Sequence, residues 1–255
     1  MRLEADRVKQ FAREKGADLV GIASADRLES APPKHRPSDI LPTARSIIVC
    51  AKPMPYGTIG FAPPTGYDNT MMELNSVLDQ IAYEIAIWLE QQGATAVPIP
   101  ADRPYWDYNP ETRWGHGDIS HKHAAVAAGL GLMGTNTLLV TPQFGNRVQL
   151  VSVLTDAELE PDQPLAGSPC PAGCTLCVDV CPAHAIQPNG KVDQAACRSH
   201  MYLHLPRGYT VEGCRECRSV CPFAKDALTA LFSAPGSVAD SQHREDWATR
   251  ETPRW

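Results

Sequence analysis

Cys170-Pro171-Ala172-Gly173-Cys174-Thr175-Leu176-Cys177-Val178-Asp179-Val180-Cys181-Pro182 is the stretch that decides how this chain reads. A second run, Cys214-Arg215-Glu216-Cys217-Arg218-Ser219-Val220-Cys221-Pro222, repeats its C-x2-C-x3-C-P ending, and Cys197 stands between the two. Closely spaced thiolates wrap three corners of one cubane cluster, while the cysteine before the proline points away and serves a second cluster. The proline ends the local turn and leaves no competing amide. On this spacing Cys170, Cys174, Cys177 and Cys221 hold one 4Fe–4S cluster. Cys181, Cys197, Cys214 and Cys217 hold the other. The first gap is x3 where x2 is usual. The second run lacks its leading cysteine, and Cys197 takes that place. Four-cysteine zinc sites also use C-x2-C. The doubled Cys-Pro endings and the interleaved ligands favour iron–sulfur and a two-cluster, ferredoxin-like module that relays electrons.

The rest of the chain fits that reading. Of 255 residues, 20% are charged and 43% apolar, the balance of a soluble globular protein. The opening MRLEADRVKQFAREKG has neither an apolar signal core nor twin arginines, so a cytoplasmic setting without a membrane is expected. Dense cysteines in a reducing compartment point to metal or redox chemistry rather than disulfides. The formal charge of −6 argues against broad nucleic-acid binding. Cys50, inside the apolar run Ser46–Ala51, reads as a buried strand cysteine.

Working outward, 4–15 reads as a helix closed by Gly16, and 18–23 and 46–52 read as buried strands. A Pro/Gly-rich loop covers 53–64. Asn69 or Thr70 caps a long helix ended by Gly93, and 95–99 is a strand. An aromatic loop runs over 101–117. Ser120 caps a helix to Ala128, and 136–141 and 147–156 are strands. The expected organisation is an α+β fold. An α/β sandwich domain (1–160) for cofactor and substrate precedes the cluster module (165–232) and a polar tail (233–255). Gly129-Leu130-Gly131-Leu132-Met133-Gly134 matches G-x-G-x-x-G, but a helix precedes it and a strand follows. That reverses the dinucleotide-binding context. The glycines still allow close backbone approach, to a cofactor or to the chain itself.

The block Ala127–Pro142, then Phe144-Gly145-Asn146-Arg147 and Val151–Asp156, resembles the epoxyqueuosine reductases and reductive dehalogenases, as do Leu41-Pro42-Thr43-Ala44-Arg45-Ser46 and the cysteine runs. The resemblance implies a nitroreductase-like domain joined to the two-cluster module, with cobalamin between them. Electrons would come from an external ferredoxin or flavodoxin, and the Cys181 cluster would lie nearer the cobalt. Gly129, Gly131, Gly134, Asn136 and Arg147 would then be cofactor-binding residues. The residues themselves are equally compatible with a flavin or with no second cofactor.

This chain departs from that pattern in two places. Gly115-His116-Gly117-Asp118 stands where the reductases carry an acidic proton donor, and Thr135 stands where they carry a lysine. Asp118, His116 and Tyr108 are therefore the catalytic candidates for proton delivery. The acidic balance and the lack of C-terminal helical repeats point to a small molecule and away from tRNA. The expected function is an iron–sulfur reductase. The alternative is an electron-transfer or corrinoid-reducing partner protein without its own substrate chemistry. His121 and His123, at i and i+2, cannot share a helix face. His200 and His204 fall at i, i+4 on the helix expected after Cys197.

Overall fold

The computed structural model describes residues 3–103, 105, 107–111 and 114–224. The polar tail expected over 233–255 lies outside them. Helix α1 (Ala5–Glu14) leads into strand β1 (Leu19–Ser24), one-turn helix α2 (Pro37–Ile40) and strand β2 (Ser46–Pro53). Then follow α3 (Tyr56–Phe61), α4 (Pro64–Gln91) and β3 (Ala96–Ile99). The long helix begins earlier than Asn69. Pro63 and Pro64, which read as loop, occupy its N-cap and first turn, where a missing N–H costs nothing.

Further along come β4 (Asp107–Asn109), β5 (Trp114–His116), α5 (His121–Ala127), β6 (Leu132–Met133), β7 (Leu139–Val140) and β8 (Val148–Thr155). The aromatic loop is thus a hairpin, with Tyr108 opposite Gly115 and Asp107 opposite His116. The single strand expected over 136–141 is instead half of a short hairpin around Gly134.

The main sheet has the order β1-β2-β8-β3, and every neighbouring pair is antiparallel. Both faces are covered. Ile48 and Cys50 of β2 and Val151 and Val153 of β8 face α1 and α4, packing on Val8, Leu78, Ile81 and Ile85. Ile47, Val49 and Ala51 alternate to the other face, with Leu150 and Leu154, against Ala124, Ala125 and Ala128 around α5. Burial on both faces explains why these strands read as unbroken apolar runs although their pairing is antiparallel. Cys50 is 1% exposed, and burial pushes its thiol up to about 12.

The cysteine-rich half holds α6 (Leu176–Asp179), α7 (Gln194–Met201), the hairpin β9 (Tyr202–His204) with β10 (Thr210–Glu212), and α8 (Glu216–Ser219). Asp193 caps α7 by accepting from the Ala196 N–H. Helix α7 ends at Met201, so His200 and His204 do not share a helix. No helix among the described residues is long and apolar enough to cross a membrane.

Candidate functional site

The nine cysteines are all free thiols, and several lie close enough to act on one another's charge. Burial first, and then the neighbouring Cys170, Cys174 and Cys177, push the Cys221 thiol up to about 12. Cys177 is raised to about 11 by burial, Cys170 and Cys174. Cys197 is raised by burial and then by Cys214 and Cys181. Cys214 feels Cys181, and Cys217, raised to about 12, feels Cys214 and Cys197. Thiols crowded and enclosed in this way resist ionising unless a cation takes up the charge. Donors are already aimed at the sulfurs: Thr135 offers its N–H and its hydroxyl to Cys170 Sγ, each at 3.4 Å, and Ala185 N–H reaches Cys181 Sγ at 3.3 Å. Hydrogen bonds to sulfur suit a thiolate-bound cluster and tune its potential.

A polar seam fixes this half to the sheet half. Asn136 donates to the Cys217 carbonyl at 2.8 Å and accepts from Leu138 N–H, so it braces the thiols around Cys197. Asn146 donates to the Arg218 carbonyl at 3.0 Å, and the buried Arg218 guanidinium donates back to the Asn146 carbonyl. Arg215 donates to the Ile59 carbonyl at 2.6 Å and to that of Ala62. Arg147 donates to the Met54 carbonyl at 2.9 Å.

The glycine block does its work internally. A Cβ on Gly129 would strike the Gln163 carbonyl, and one on Gly131 the Val140 carbonyl. One on Gly134 would crowd Asn136 Oδ1 at 3.1 Å. At Gly129 and Gly131 the close approach is made by the chain's own backbone, and at Gly134 by the Asn136 side chain.

Beside the thiols around Cys197 lie two cavities that share Arg103. One, of about 350 Å³, is lined by Arg103, Tyr105, Tyr108, Arg198 and Tyr202. The Arg198 guanidinium lies 5.0 Å from the Tyr105 ring and 5.8 Å from that of Tyr108. The other, of about 270 Å³, is lined by Asn75, Asp79, Asp102, Arg103 and Glu212 among others. Asn75 Oδ1 is buried there without a hydrogen-bond partner. Burial, then Asp102, hold the Glu212 carboxyl above its ordinary range, and only 13% of its side chain is exposed. Tyr105 donates to Asp102 at 2.9 Å.

Of the catalytic candidates, only Tyr108 lines this cleft. His116 lies one hairpin position out of phase with it and binds Asp107 at 3.2 Å. Asp118 follows in the turn before α5 and lines neither cavity. His121 is held between Ser152 Oγ and the Pro100 carbonyl, and His123 by Ser120. Arg198 and Glu212 escape sequence reasoning. Arg198 carries one weak signal, adjacency to Cys197, and Glu212 carries none.

The chain is 30% identical to the epoxyqueuosine reductase of Synechocystis over 234 residues, 85% of this chain and 74% of that one. It belongs to the epoxyqueuosine reductase family. No family model matches it. Against the epoxyqueuosine reductase of Bacillus cereus it is 33% identical over 115 residues, 42% of this chain and only 30% of that relative's length. Two solved structures share the fold of this family member. An epoxyqueuosine reductase bound to a modified tRNA stem loop aligns with a TM-score of 0.60 at 20% identity, covering 89% of this chain and 67% of that one. A reductive dehalogenase described in terms of B12-dependent dehalogenation aligns at 0.62 and 21%, covering 87% and 32%. The first of these runs against the expectation that tRNA is unlikely: that epoxyqueuosine reductase, of the same fold, is bound to a tRNA stem loop.

Proposed function

We propose that this chain is a cytoplasmic iron–sulfur reductase that passes electrons through two 4Fe–4S clusters to cobalamin and reduces a nucleoside-like substrate. The observation that carries it is the clustering of thiols around Cys221 and around Cys197, with a cleft lined by Arg198, the residue after Cys197. The donor chemistry fits: eight thiols, none in a disulfide, with N–H and O–H groups aimed at sulfur. Two features at the rims of these cavities would suit the edge of a corrinoid, a ring system larger than either cavity. Its peripheral amides could give Asn75 Oδ1 the hydrogen it lacks, and Met72 and Tyr108 present exposed apolar surface at the rims. Bound there, the corrinoid would supply low-potential two-electron reduction.

The chain's own residues do the rest. Tyr105, Tyr108 and the Arg198 plane form a stacking platform of the kind that holds an unpaired base. Arg198 puts positive charge at the cleft for a phosphate, while Arg103 is paired with Asp102 and Glu212. Glu212, whose carboxyl burial makes easier to protonate than an ordinary one, would give up the proton to the reduced carbon. In that role it replaces Asp118 and His116. Ferredoxin or flavodoxin is the electron donor proposed.

Anaerobic purification with iron and sulfide analysis, then a cobalamin titration with optical detection of cobalt reduction, tests the relay. Zinc without iron would sink it. Reduction of an epoxyqueuosine-containing tRNA stem loop, with Glu212→Gln cutting kcat at least about a hundredfold, tests the substrate and donor. Cobalamin reduction without turnover would favour the partner-protein alternative.

A further inference from the structure

His35, Asp107 and His116 come together away from the thiols. His35 lies in the loop before α2 and is 8% exposed. Its Nδ1 sits 2.9 Å from the Gly117 carbonyl oxygen. A carbonyl only accepts, so Nδ1 carries the hydrogen and Nε2 of the neutral ring is a bare lone pair. That lone pair faces Asp107 Oδ2 at 3.2 Å. His116 Nδ1 faces the same oxygen, also at 3.2 Å. The two rings lie 4.9 Å apart at 41°, and the donor atoms of all three residues fall within 4.8 Å of one another.

Two acceptors this close repel each other unless something positive lies between them. Ligands about 2.0–2.2 Å from a tetrahedral ion are separated by roughly 3.3 Å, close to the spacing seen here. A backbone carbonyl holding the far ring nitrogen is also the arrangement that fixes a metal-binding histidine.

We propose that His35, Asp107 and His116 bind one divalent transition-metal ion of the zinc type, water completing the shell, and that this ion clasps the β4–β5 hairpin to the loop before α2. Two imidazoles and one carboxylate select zinc, cobalt or nickel over magnesium or calcium. The clasp has a use. Tyr108 follows Asp107 directly on β4 and lines the aromatic cavity, so fastening the hairpin fixes a wall of the cleft. The clasp depends on side-chain geometry alone and does not require the proposed reductase activity.

The competing arrangement is a proton on His35 in place of the ion. Iron-loaded protein of known iron content is titrated with Zn(II) and its metal content measured by mass spectrometry. A single added equivalent at micromolar free zinc is expected, with iron unchanged. Asp107→Asn and His116→Gln, at side chains 49% and 40% exposed, should each weaken binding at least about tenfold. Zinc should also slow proteolytic cutting of the hairpin in the native protein and in neither variant. No zinc uptake, or uptake that survives both substitutions, would overturn the clasp. Because the readouts are metal content and proteolysis, its failure would leave the reductase reading untouched.

Discussion

Between β2 and β8 the interior is Ile47, Ile48, Val49, Val151, Val153 and Leu154, all at 0% exposure, whereas the buried cluster among the thiols is Cys177, Cys181, Ala185 and Ile186. The first region owes its order to apolar area removed from water. The second has too little of it to stand alone, and relies on short helices, a polar seam and whatever its thiols bind. The two halves should therefore fail separately and for different reasons.

The largest effect should come from the thiols. Cys217→Ser or Cys221→Ser should remove about half the iron, and Cys50→Ser none. Iron removal should expose 170–224 to protease while the sheet half survives; equal digestion of both would break the contrast. In the sheet half, Leu78→Ala should cost about 2–5 kcal/mol in urea unfolding with iron per folded molecule unchanged. At the seam, Asn146→Ala leaves the Arg218 carbonyl without its partner and should cost about 1–3 kcal/mol. Its signature would be earlier melting of the iron chromophore than of the sheet.

The smallest effect is a pH dependence. Burial holds the His121 imidazole below its ordinary value of 6.5. Below that pH the unfolded chain binds a proton that the folded one refuses. Stability therefore falls as pH drops through 6.5 and then more steeply, by at most about 1.4 kcal/mol per pH unit. His121→Gln should flatten that slope, read from urea midpoints between neutral and acid pH.

Much of this architecture was legible in the chain, for physical reasons that differ by region. Apolar runs such as Ser46–Ala51 announce strands buried on both faces, and Gly16 and Gly93, at φ +104° and +87°, announce helix ends. The cysteine spacing makes a ligand grouping readable from the chain because ligation needs a fixed local order, and that grouping stays a proposal. The start of α4 was hidden because its prolines read as loop. The β4–β5 hairpin was hidden because its residues lack alternation. Glu212 and the His35 cluster were hidden because their partners lie far along the chain: His35 and Asp107 are 72 residues apart. The glycine block was legible as a tight turn, but only the fold shows that backbone meets Gly129 and Gly131 and the Asn136 side chain meets Gly134.

Gly145 sits at φ +56° with the Phe223 backbone against it, where no side chain fits, and Asn146 N–H donates to the Phe223 carbonyl at 3.2 Å. Phe223 is two residues past Cys221, and Ala224 N–H returns to the Cys221 carbonyl at 2.9 Å. Any displacement of Cys221 would therefore be felt at the sheet through two backbone links, so the cysteine-rich half and the sheet half share a joint and not merely a surface.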